Sequence, residues 1–364
     1  MTGVAIIGCG VISRTYGYTL GMYDWIDLVA AADVLPERAV ERAETWGTRA
    51  ATVDEALEAP DVDVVVNLTP PKMHADVDRA ALAAGKAVYS EKPLGIDFGE
   101  GADLVAAADA AGLRLGCAPD TFLGAGLQTC RALIDRGDIG EPLAANAFMM
   151  SPGPERWHPS PSIFYERGAG PLFDMGPYYL TTLVQLLGPA RRIAAMARTA
   201  RKQREVTSEP LAGTLIDVEV PTHVVSTIEH RSGATASLVT SFDVQASAYR
   251  CIEVYGTEAT LSVPDPNTFG GPVRIRRQGD EEWLDVDLVD THLPQFRGIG
   301  CADMLWARRT GRPHRTSAEL ALHVLELMTA AIDSSEHGRV IELTTTCGRA
   351  EPLPVGLPEN TYDD

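Results

Sequence analysis

Two short segments of the chain hold the side chains best suited to moving a proton. They are Glu91-Lys92-Pro93 and Asp174-Met175-Gly176-Pro177-Tyr178. A lysine ammonium can donate a hydrogen bond to a substrate hydroxyl, and a phenol with a lowered pKa can take a proton from an alcohol as a hydride leaves. Asp174 and Tyr178 stand four residues apart, so on a helix they share one face. Structural roles are the alternative: a solvated strand-end lysine, a helix-capping aspartate and a packed aromatic ring.

The first 33 residues contain a second chemical pattern. Apolar runs at 4–7 and 28–32 flank the turn Gly8-Cys9-Gly10-Val11-Ile12-Ser13, and the second run ends at Asp33. Gly8 permits a tight turn, Gly10 lets backbone N–H groups approach a pyrophosphate, and an acid about 20 residues on can hold adenosine ribose hydroxyls. Ser13 replaces the third glycine and is still small. The pattern predicts dinucleotide contacts at Gly8, Gly10, Val11, Ile12 and Asp33, and a plain strand–turn–helix corner is the alternative.

Strand ends provide further candidate residues. Strands alternate with helices up to about residue 120, which indicates a doubly wound parallel sheet. Predicted strands at 62–68 and 87–90 end at Thr69-Pro70 and at Glu91-Lys92. Because ligands bind at the carboxyl ends of parallel strands, we expect Thr69, Pro70, Glu91 and Lys92 to meet the glycine turn in one crevice. His74 either contacts the bound cofactor or caps its own helix.

The pattern changes after residue 120. Strands predicted at 143–150, 223–230, 235–244 and 251–255 look antiparallel, and helices are predicted at 172–187 and after Thr316-Ser317-Ala318-Glu319, which resembles a capping box. The predicted fold class is α/β: an N-terminal Rossmann doubly wound parallel sheet (1–120) plus a C-terminal α+β domain (121–364) with a large, open, mostly antiparallel sheet. A broad sheet face of this kind predicts a homodimer or homotetramer.

An aromatic segment precedes Asp174. Trp157, His158, Phe164 and Tyr165 lie within a stretch rich in proline and glycine, at 151–170. Aromatic faces stack on the apolar faces of sugar rings, so these side chains could form a platform for a small cyclic substrate. An ordered surface loop is the alternative.

Composition excludes several classes of protein. The chain has 364 residues, 45% of them hydrophobic, and a net charge of −19. This charge disfavours binding to nucleic acid or to an anionic membrane. The sequence contains neither a run of about 18 apolar residues nor a signal-type N-terminus, so we expect no membrane span and a cytoplasmic location. Its six cysteines are scattered and its histidines lack metal-ligand spacing, so we expect neither disulfides nor a metal.

The order of these motifs resembles the Gfo/Idh/MocA family of nicotinamide-dependent oxidoreductases. The matching segments are Gly8 to Ile12, Asp33, Asn67-Leu68-Thr69-Pro70 with His74, Glu91-Lys92-Pro93, Gly137-Asp138-Ile139-Gly140 and Asp174 to Tyr178. The resemblance implies a Rossmann domain, a second domain with an open sheet, NAD or NADP as cofactor, and substrates that are sugars, polyols or related hydroxy compounds. It also implies that Lys92 lies next to the nicotinamide, often before a cis peptide bond to Pro93.

The resemblance also suggests residue roles. Many members have a histidine proton carrier where this chain has Tyr178, whereas members similar to glucose–fructose oxidoreductase and dihydrodiol dehydrogenase have tyrosine. Catalysis is therefore assigned to Lys92, Asp174 and Tyr178. Cofactor binding is assigned to Gly8, Gly10, Val11, Ile12, Asp33, Thr69, Pro70, His74, Glu91 and Lys92. Substrate binding is assigned to Lys92, Trp157, His158, Tyr165, Asp174 and Tyr178.

Asp33 favours NAD, because its carboxylate repels the 2′-phosphate of NADP. NADP stays the alternative, since Arg38 is near. The expected reaction is hydride transfer between nicotinamide and a secondary alcohol or ketone of a sugar, polyol or related cyclic compound. Two alternatives remain open: a redox-neutral glycoside-cleaving or group-transfer enzyme that retains NAD, and a non-catalytic nucleotide-binding regulator.

Overall fold

The computed structural model describes residues 1–249, 251–291, 293–356 and 358–363. The chain divides into two compact units. Unit 1 comprises Met1–Gly124, Asp290–Leu322 and Leu353–Asp364, and unit 2 comprises Ala125–Val289 and His323–Pro352. The predicted ranges of 1–120 and 121–364 treat each domain as one continuous segment, whereas unit 1 is assembled from three.

Unit 1 is built on a six-stranded parallel sheet with the order β3-β2-β1-β4-β5-β6. Its strands are β1 (Thr2–Ile7), β2 (Ile26–Ala32), β3 (Arg49–Ala51), β4 (Val64–Asn67), β5 (Ala87–Ser90) and β6 (Leu115–Cys117). Its first helices are α1 (Ser13–Leu20), α2 (Pro36–Trp46), α3 (Val53–Glu58), α4 (Pro71–Ala83) and α5 (Phe98–Ala111). Every residue of β1, β4 and β5 is buried, as the apolar runs of a sheet covered on both faces require. The predicted parallel sheet is confirmed.

Unit 2 contains a nine-stranded sheet. Its elements are α6 (Ala125–Asp135), β7 (Pro142–Met150), α7 (Gly170–Leu187), β8 (Ala190–Arg198), β9 (Gln203–Glu205), β10 (Leu215–Asp217), β11 (His223–His230), β12 (Thr235–Ser241), β13 (Ile252–Gly256), β14 (Ala259–Val263), β15 (Val273–Arg277) and β16 (Leu284–Val286). Later in the chain, α8 (Ile299–Thr310) belongs to unit 1, α9 (Ala318–His337) begins in unit 1 and continues in unit 2, and β17 (Ile341–Glu342) belongs to unit 2. The order is β16-β15-β14-β13-β7-β12-β11-β8-β17, and β9 pairs with β10 separately. Within the described strands β7 and β12 pair in parallel and the other neighbours are antiparallel, which confirms the predicted mostly antiparallel sheet.

One face of the large sheet presents an apolar row. Met196 stands opposite Val225, Val225 opposite Val239, and Val239 opposite Phe148, so the four side chains cross four neighbouring strands. Met196 is 81% exposed and Val225 is 41% exposed. Apolar side chains aligned across an uncovered sheet face are typical of a surface that another protein covers.

The C-terminal segment explains why unit 1 is discontinuous. Tyr362 is completely buried, and its hydroxyl donates a hydrogen bond to the carbonyl of Ile299 at 2.9 Å. The hydroxyl groups of Tyr362 and Tyr23 are also 2.8 Å apart. A buried phenol at the end of the chain therefore joins the tail to α8 and to the residues that precede β2.

One local prediction needs correction, and two short elements were not predicted. The capping box predicted at Thr316 is wrong in its position, because Ser317 accepts the N–H of Leu320 while Thr316 donates to the carbonyl of Gly300. The strand β3 and helix α3 are additional elements, and α3 is capped reciprocally by Thr52 and Glu55. A strand of three residues, none of them buried, lacks the apolar pattern on which strand prediction depends.

Candidate functional site

The turn after β1 is shaped by two glycines with different constraints. Gly8 has a φ of +97°, and a Cβ placed on it would lie 2.6 Å from the carbonyl carbon of Leu68. A Cβ placed on Gly10 would meet no atom within 4 Å. Gly8 is thus required by the protein's own packing. Gly10 instead leaves open space beside the N-terminus of α1, where an anionic group can approach the backbone.

Asp33 is held rigidly at the end of β2. One carboxylate oxygen accepts the N–H of Cys9 at 2.7 Å, and the other accepts the N–H of Leu35 at 2.9 Å. Burial and the charge of Asp33 raise the pKa of the Cys9 thiol to about 12, so this cysteine stays protonated and unreactive. Asp33 keeps lone pairs for two further donors, as a ribose diol requires.

The surroundings of this turn also fit a dinucleotide. Val11 is 86% exposed in the glycine turn, and Val34 is 85% exposed directly after Asp33. Exposed apolar side chains flank a fixed carboxylate, which can accept ribose hydroxyls, and an open glycine turn, whose backbone N–H groups can donate to a pyrophosphate. The residues present therefore fit NAD, and Gly10 and Asp33 are the groups that would hold it.

The turn after β4 is organised by Asn67. Its side-chain oxygen accepts the N–H of Thr69 at 3.1 Å and the hydroxyl of Thr69 at 2.6 Å. Its amide group donates to Asp78 at 2.7 Å and to the carbonyl of His74 at 3.1 Å. The Thr69-Pro70 turn is therefore tied to α4. His74 is buried, with 1% of its surface exposed, and it faces the protein interior.

Glu91 supports the turn after β5 through the hydrogen bonds that its carboxylate accepts. Its carboxylate accepts the phenol of Tyr16 at 3.0 Å and the backbone N–H of Lys92 at 2.8 Å. Burial raises the pKa of Tyr16 well above its usual range, so its phenol remains a donor. Lys92 is half-buried, and its peptide bond to Pro93 is cis. Glu91 thereby fixes the backbone from which the Lys92 side chain extends.

In unit 2, Asp174 and Tyr178 lie one turn apart on α7. Asp174 is half-buried, and Tyr178 is 5% exposed. Pro177 sits inside the helix and has no N–H, so the carbonyl of Phe173 lacks its helical donor. The i, i+4 spacing places both candidate side chains on one helix face, as the sequence predicts.

The aromatic segment before α7 brings three rings together. Its 3₁₀ turns are Pro154–Arg156 and Pro161–Phe164. The ring centroids of His158 and Phe164 lie 4.9 Å apart, and that of Trp157 lies 5.3 Å from His158. Trp157 is 68% exposed, so this cluster offers an accessible aromatic face.

Tyr165 differs from its aromatic neighbours. It is completely buried, its hydroxyl donates to Glu155, and the guanidinium of Arg204 lies 5.2 Å from its ring centroid. Burial and the hydrogen bond to Glu155 raise the pKa of Tyr165 above its usual range. The structure therefore places the Tyr165 hydroxyl in an interior polar network, while Trp157 and His158 stay at the surface.

Sequence reasoning missed the residues of that network. Arg204 is buried, and it donates to Glu155 at 2.5 Å and also to Asp243. The threonine hydroxyl of Thr222 donates to the second oxygen of Asp243 at 2.6 Å. These residues are scattered along the chain, and no local spacing signals their contact. Together they anchor the aromatic segment to β9 and to the end of β12.

Asp120 is a second residue that the sequence did not reveal. It is buried after β6, and one oxygen accepts the N–H groups of Gly298 and Gly300 at 2.7 and 3.0 Å. Burial raises the pKa of Asp120 to about 6. The carboxylate fixes the start of α8 from a distant part of the sequence.

Across 1–249, 251–291, 293–356 and 358–363, no three histidine, cysteine or acidic side chains are grouped to hold a metal ion. No helix in these ranges is long and apolar enough to span a membrane.

The fold and the strand-end site define an NAD(P)-dependent oxidoreductase. Residues 2–118 match the oxidoreductase family with an NAD-binding Rossmann fold, and residues 127–262 match the GFO/IDH/MocA C-terminal domain. The chain belongs to the Gfo/Idh/MocA family. The resemblance inferred from its motifs is thereby confirmed.

Individual relatives are distant but cover most of the chain. A 1,5-anhydro-D-fructose reductase of Ensifer adhaerens is 28% identical over 69% of this chain and 73% of its own length. An inositol 2-dehydrogenase of Saccharopolyspora erythraea is 28% identical over 80% of this chain and 83% of its own. The crystal structure of an NAD binding oxidoreductase from Klebsiella pneumoniae superposes with a TM-score of 0.81 at 24% identity, covering 94% of this chain and 99% of that one.

The two glycines of the first turn yield a paired prediction. Gly10→Ala leaves the unfolding temperature of the cofactor-free protein unchanged and weakens NADH affinity at least about tenfold, or about 1.4 kcal/mol, because the new methyl group occupies the approach to the backbone. Gly8→Ala instead destabilises the fold by about 1–3 kcal/mol through strain and the clash at Leu68. Thermal unfolding and NADH titration separate these effects. If Gly10→Ala bound NADH as tightly as the wild-type protein does, the cofactor would not approach the backbone at Gly10.

Proposed function

We propose that this enzyme transfers a hydride between a nicotinamide cofactor and a secondary alcohol or ketone of a sugar, polyol or related cyclic hydroxy compound. The observation that carries the proposal is the set of strand-end groups in unit 1. Gly10 is open, Asp33 is fixed by two N–H groups, and Lys92 is held by Glu91. The names of the two curated relatives support the substrate class.

Three side chains are assigned to the reaction. The bound nicotinamide supplies a ring position that accepts or gives a hydride. Tyr178 takes the hydroxyl proton of the alcohol during oxidation and returns it during reduction. The ammonium of Lys92 donates a hydrogen bond to the substrate oxygen and favours the deprotonated form of a neighbouring acid. Asp174 orients the substrate or Tyr178 from the same face of α7.

The aromatic segment is assigned to substrate binding. Trp157 and His158 belong to a cluster of three rings, and Trp157 presents most of its surface to solvent. Such a face binds the C–H surface of a sugar or cyclic polyol, while hydroxyl groups of the substrate are left for polar contacts. Tyr165 contributes indirectly, by holding the segment through Glu155.

Tyr178 is tested by a variant and its neighbour. Tyr178→Phe should lower kcat by about 10²–10⁴, because general acid–base catalysis contributes that factor, while NADH affinity stays unchanged. Tyr179→Phe is the matched control, since the Tyr179 hydroxyl donates to the carbonyl of Phe148 at 3.4 Å and is assigned no role in the reaction. Steady-state kinetics with a panel of sugars and polyols gives the comparison. Equal kcat values for the two variants would remove Tyr178 from the acid–base role.

Asp33 is tested by cofactor preference. We propose NAD as the preferred cofactor, because the fixed carboxylate accepts ribose hydroxyls and repels a 2′-phosphate. Asp33→Ser should raise the KM for NAD and lower the NAD to NADP ratio of kcat/KM by about tenfold or more, since a charged hydrogen bond contributes about 1.5–3 kcal/mol. Asp109→Ser, at an exposed acid of α5, is the control. An unchanged NAD to NADP ratio of kcat/KM in Asp33→Ser would contradict a role for Asp33 in cofactor preference.

The apolar row on the large sheet supports a homo-oligomer, either a dimer or a tetramer. A second copy of the chain can cover Met196, Val225, Val239 and Phe148 with the same surface, as two-fold symmetry requires. A cytoplasmic location is supported by the six described cysteines, since no disulfide joins any two of them.

Oligomerisation is tested by placing a charge in the row. Met196→Glu should convert the assembly to single chains, because the side chain is 81% exposed in one chain and a buried carboxylate at the interface would lack a partner. Met22→Glu, at another exposed methionine, is the control. Light scattering after size-exclusion chromatography measures the molar mass. A wild-type protein that already elutes as single chains would refute the assembly.

A further inference from the structure

The ring of His74 lies between two hydrogen-bond acceptors. Its Nδ1 is 2.8 Å from the carbonyl oxygen of Pro93, and its Nε2 is 2.7 Å from the carbonyl oxygen of Thr69. A carbonyl oxygen can only accept, so each of these bonds needs a hydrogen on the ring nitrogen. Neutral imidazole carries one N–H and would direct a lone pair at the other carbonyl. Both bonds form only when the ring is an imidazolium.

A counter-charge lies on the next turn of the same helix. Asp78 follows His74 by four residues on α4, and it is completely buried. Burial raises the pKa of Asp78 to about 6, while the charge of His74 and the hydrogen bond from Asn67 lower it. The amide of Asn67 donates to one oxygen of Asp78 at 2.7 Å, and this hydrogen bond favours the ionised carboxylate. A buried cation is tolerated where an ionised, hydrogen-bonded partner accompanies it.

Other titratable groups near the pair do not supply that partner. The thiol of Cys117 in β6 is buried, and the charges of Asp78 and Glu91 further raise its pKa, so it stays neutral. Glu91 is engaged by the phenol of Tyr16 and by the N–H of Lys92. The Lys92 ammonium is itself a cation. Asp78 is the carboxylate that shares a helix face with His74.

The bonds of His74 join two strand ends that the sequence separates. Thr69 follows β4, and Pro93 follows β5 directly after Lys92. Asn67 strengthens the same connection, since it contacts Thr69, Asp78 and the backbone of His74. With 1% of its surface exposed and both nitrogens bonded, His74 has no donor or acceptor left for a cofactor or substrate.

We propose that His74 is a doubly protonated clamp which, with Asp78 as its counterion, joins the carbonyl groups of Thr69 and Pro93 and thereby positions Lys92. His74 is a positioning residue and not a cofactor contact. The positioning of Lys92 for catalysis rests on the proposed function, whereas the charge state of His74 rests on geometry alone.

The charge state is read directly by NMR of the ring nitrogens in the full-length, cofactor-free protein labelled with ¹⁵N-histidine, near neutral pH. We expect both nitrogens of His74 to carry hydrogen. His323 is the internal control, because its Nε2 accepts the N–H of Ala190 at 2.9 Å and burial lowers its pKa to about 4. The His74→Gln variant assigns the His74 signals. A His74 nitrogen with the shift of an unprotonated, lone-pair nitrogen would overturn the proposal.

The counterion is tested on the same signals. Asp78→Asn keeps the shape of the side chain and removes its charge, so His74 should lose one ring hydrogen. Asp76→Asn, on the same helix with a side chain that is 71% exposed, should leave His74 doubly protonated. A doubly protonated His74 in both variants would refute Asp78 as the counterion.

The positioning role is tested separately from the charge. His74→Gln should lower kcat at least about tenfold through misplacement of Lys92, a change of about 1.4 kcal/mol in the barrier. An unchanged kcat would refute the positioning role. If NMR shows the imidazolium but the wild-type enzyme oxidises no sugar or polyol, the charge state stands and the proposed function fails.

Discussion

The close approach of two backbone turns in unit 1 is the constraint on which the predicted cofactor site depends. Only glycine at position 8 lets the turn after β1 rest on the backbone of Leu68. Side-chain hydrogen bonds hold each of the two turns in place. Asp33 holds the first turn through the N–H of Cys9, and Asn67 holds the second through Thr69. Because parallel strands set the spacing of these turns, a change at one of them alters the position of the others.

Apolar burial fixes the two sheets, whereas buried charges fix the segments that carry candidate site residues. In unit 1, Glu91 supports the backbone of Lys92. In unit 2, Arg204 joins Glu155 to Asp243 and so holds the aromatic segment. Removing one partner of a buried ion pair costs about 3–5 kcal/mol, while replacing the whole pair by apolar groups is often neutral. Such pairs therefore contribute more to the precise placement of these segments than to net stability.

The sequence predicted those features that depend on local pattern. The strands Ala87–Ser90 and His223–His230 match their predicted ranges, since their ends are marked by a change in the apolar pattern. The parallel sheet followed from the alternation of strands with helices. Features built from distant residues could not be predicted in this way. The contact of Asp120 with Gly298 and that of Tyr362 with Ile299 each bring together positions far apart in sequence.

The histidines illustrate why residue type and spacing leave chemical roles undecided. From sequence, His74 was equally consistent with a cofactor contact and a helix cap. In the fold it faces two carbonyl oxygens, whereas His323 accepts a backbone N–H. An acceptor at each nitrogen stabilises the imidazolium, and a donor at one nitrogen stabilises the neutral ring. The two side chains are chemically identical and both are buried, so the polarity of their partners determines the charge. The charge of His74 acts on the backbone next to Lys92, because one of its two acceptors is the carbonyl of Pro93, the residue that follows Lys92.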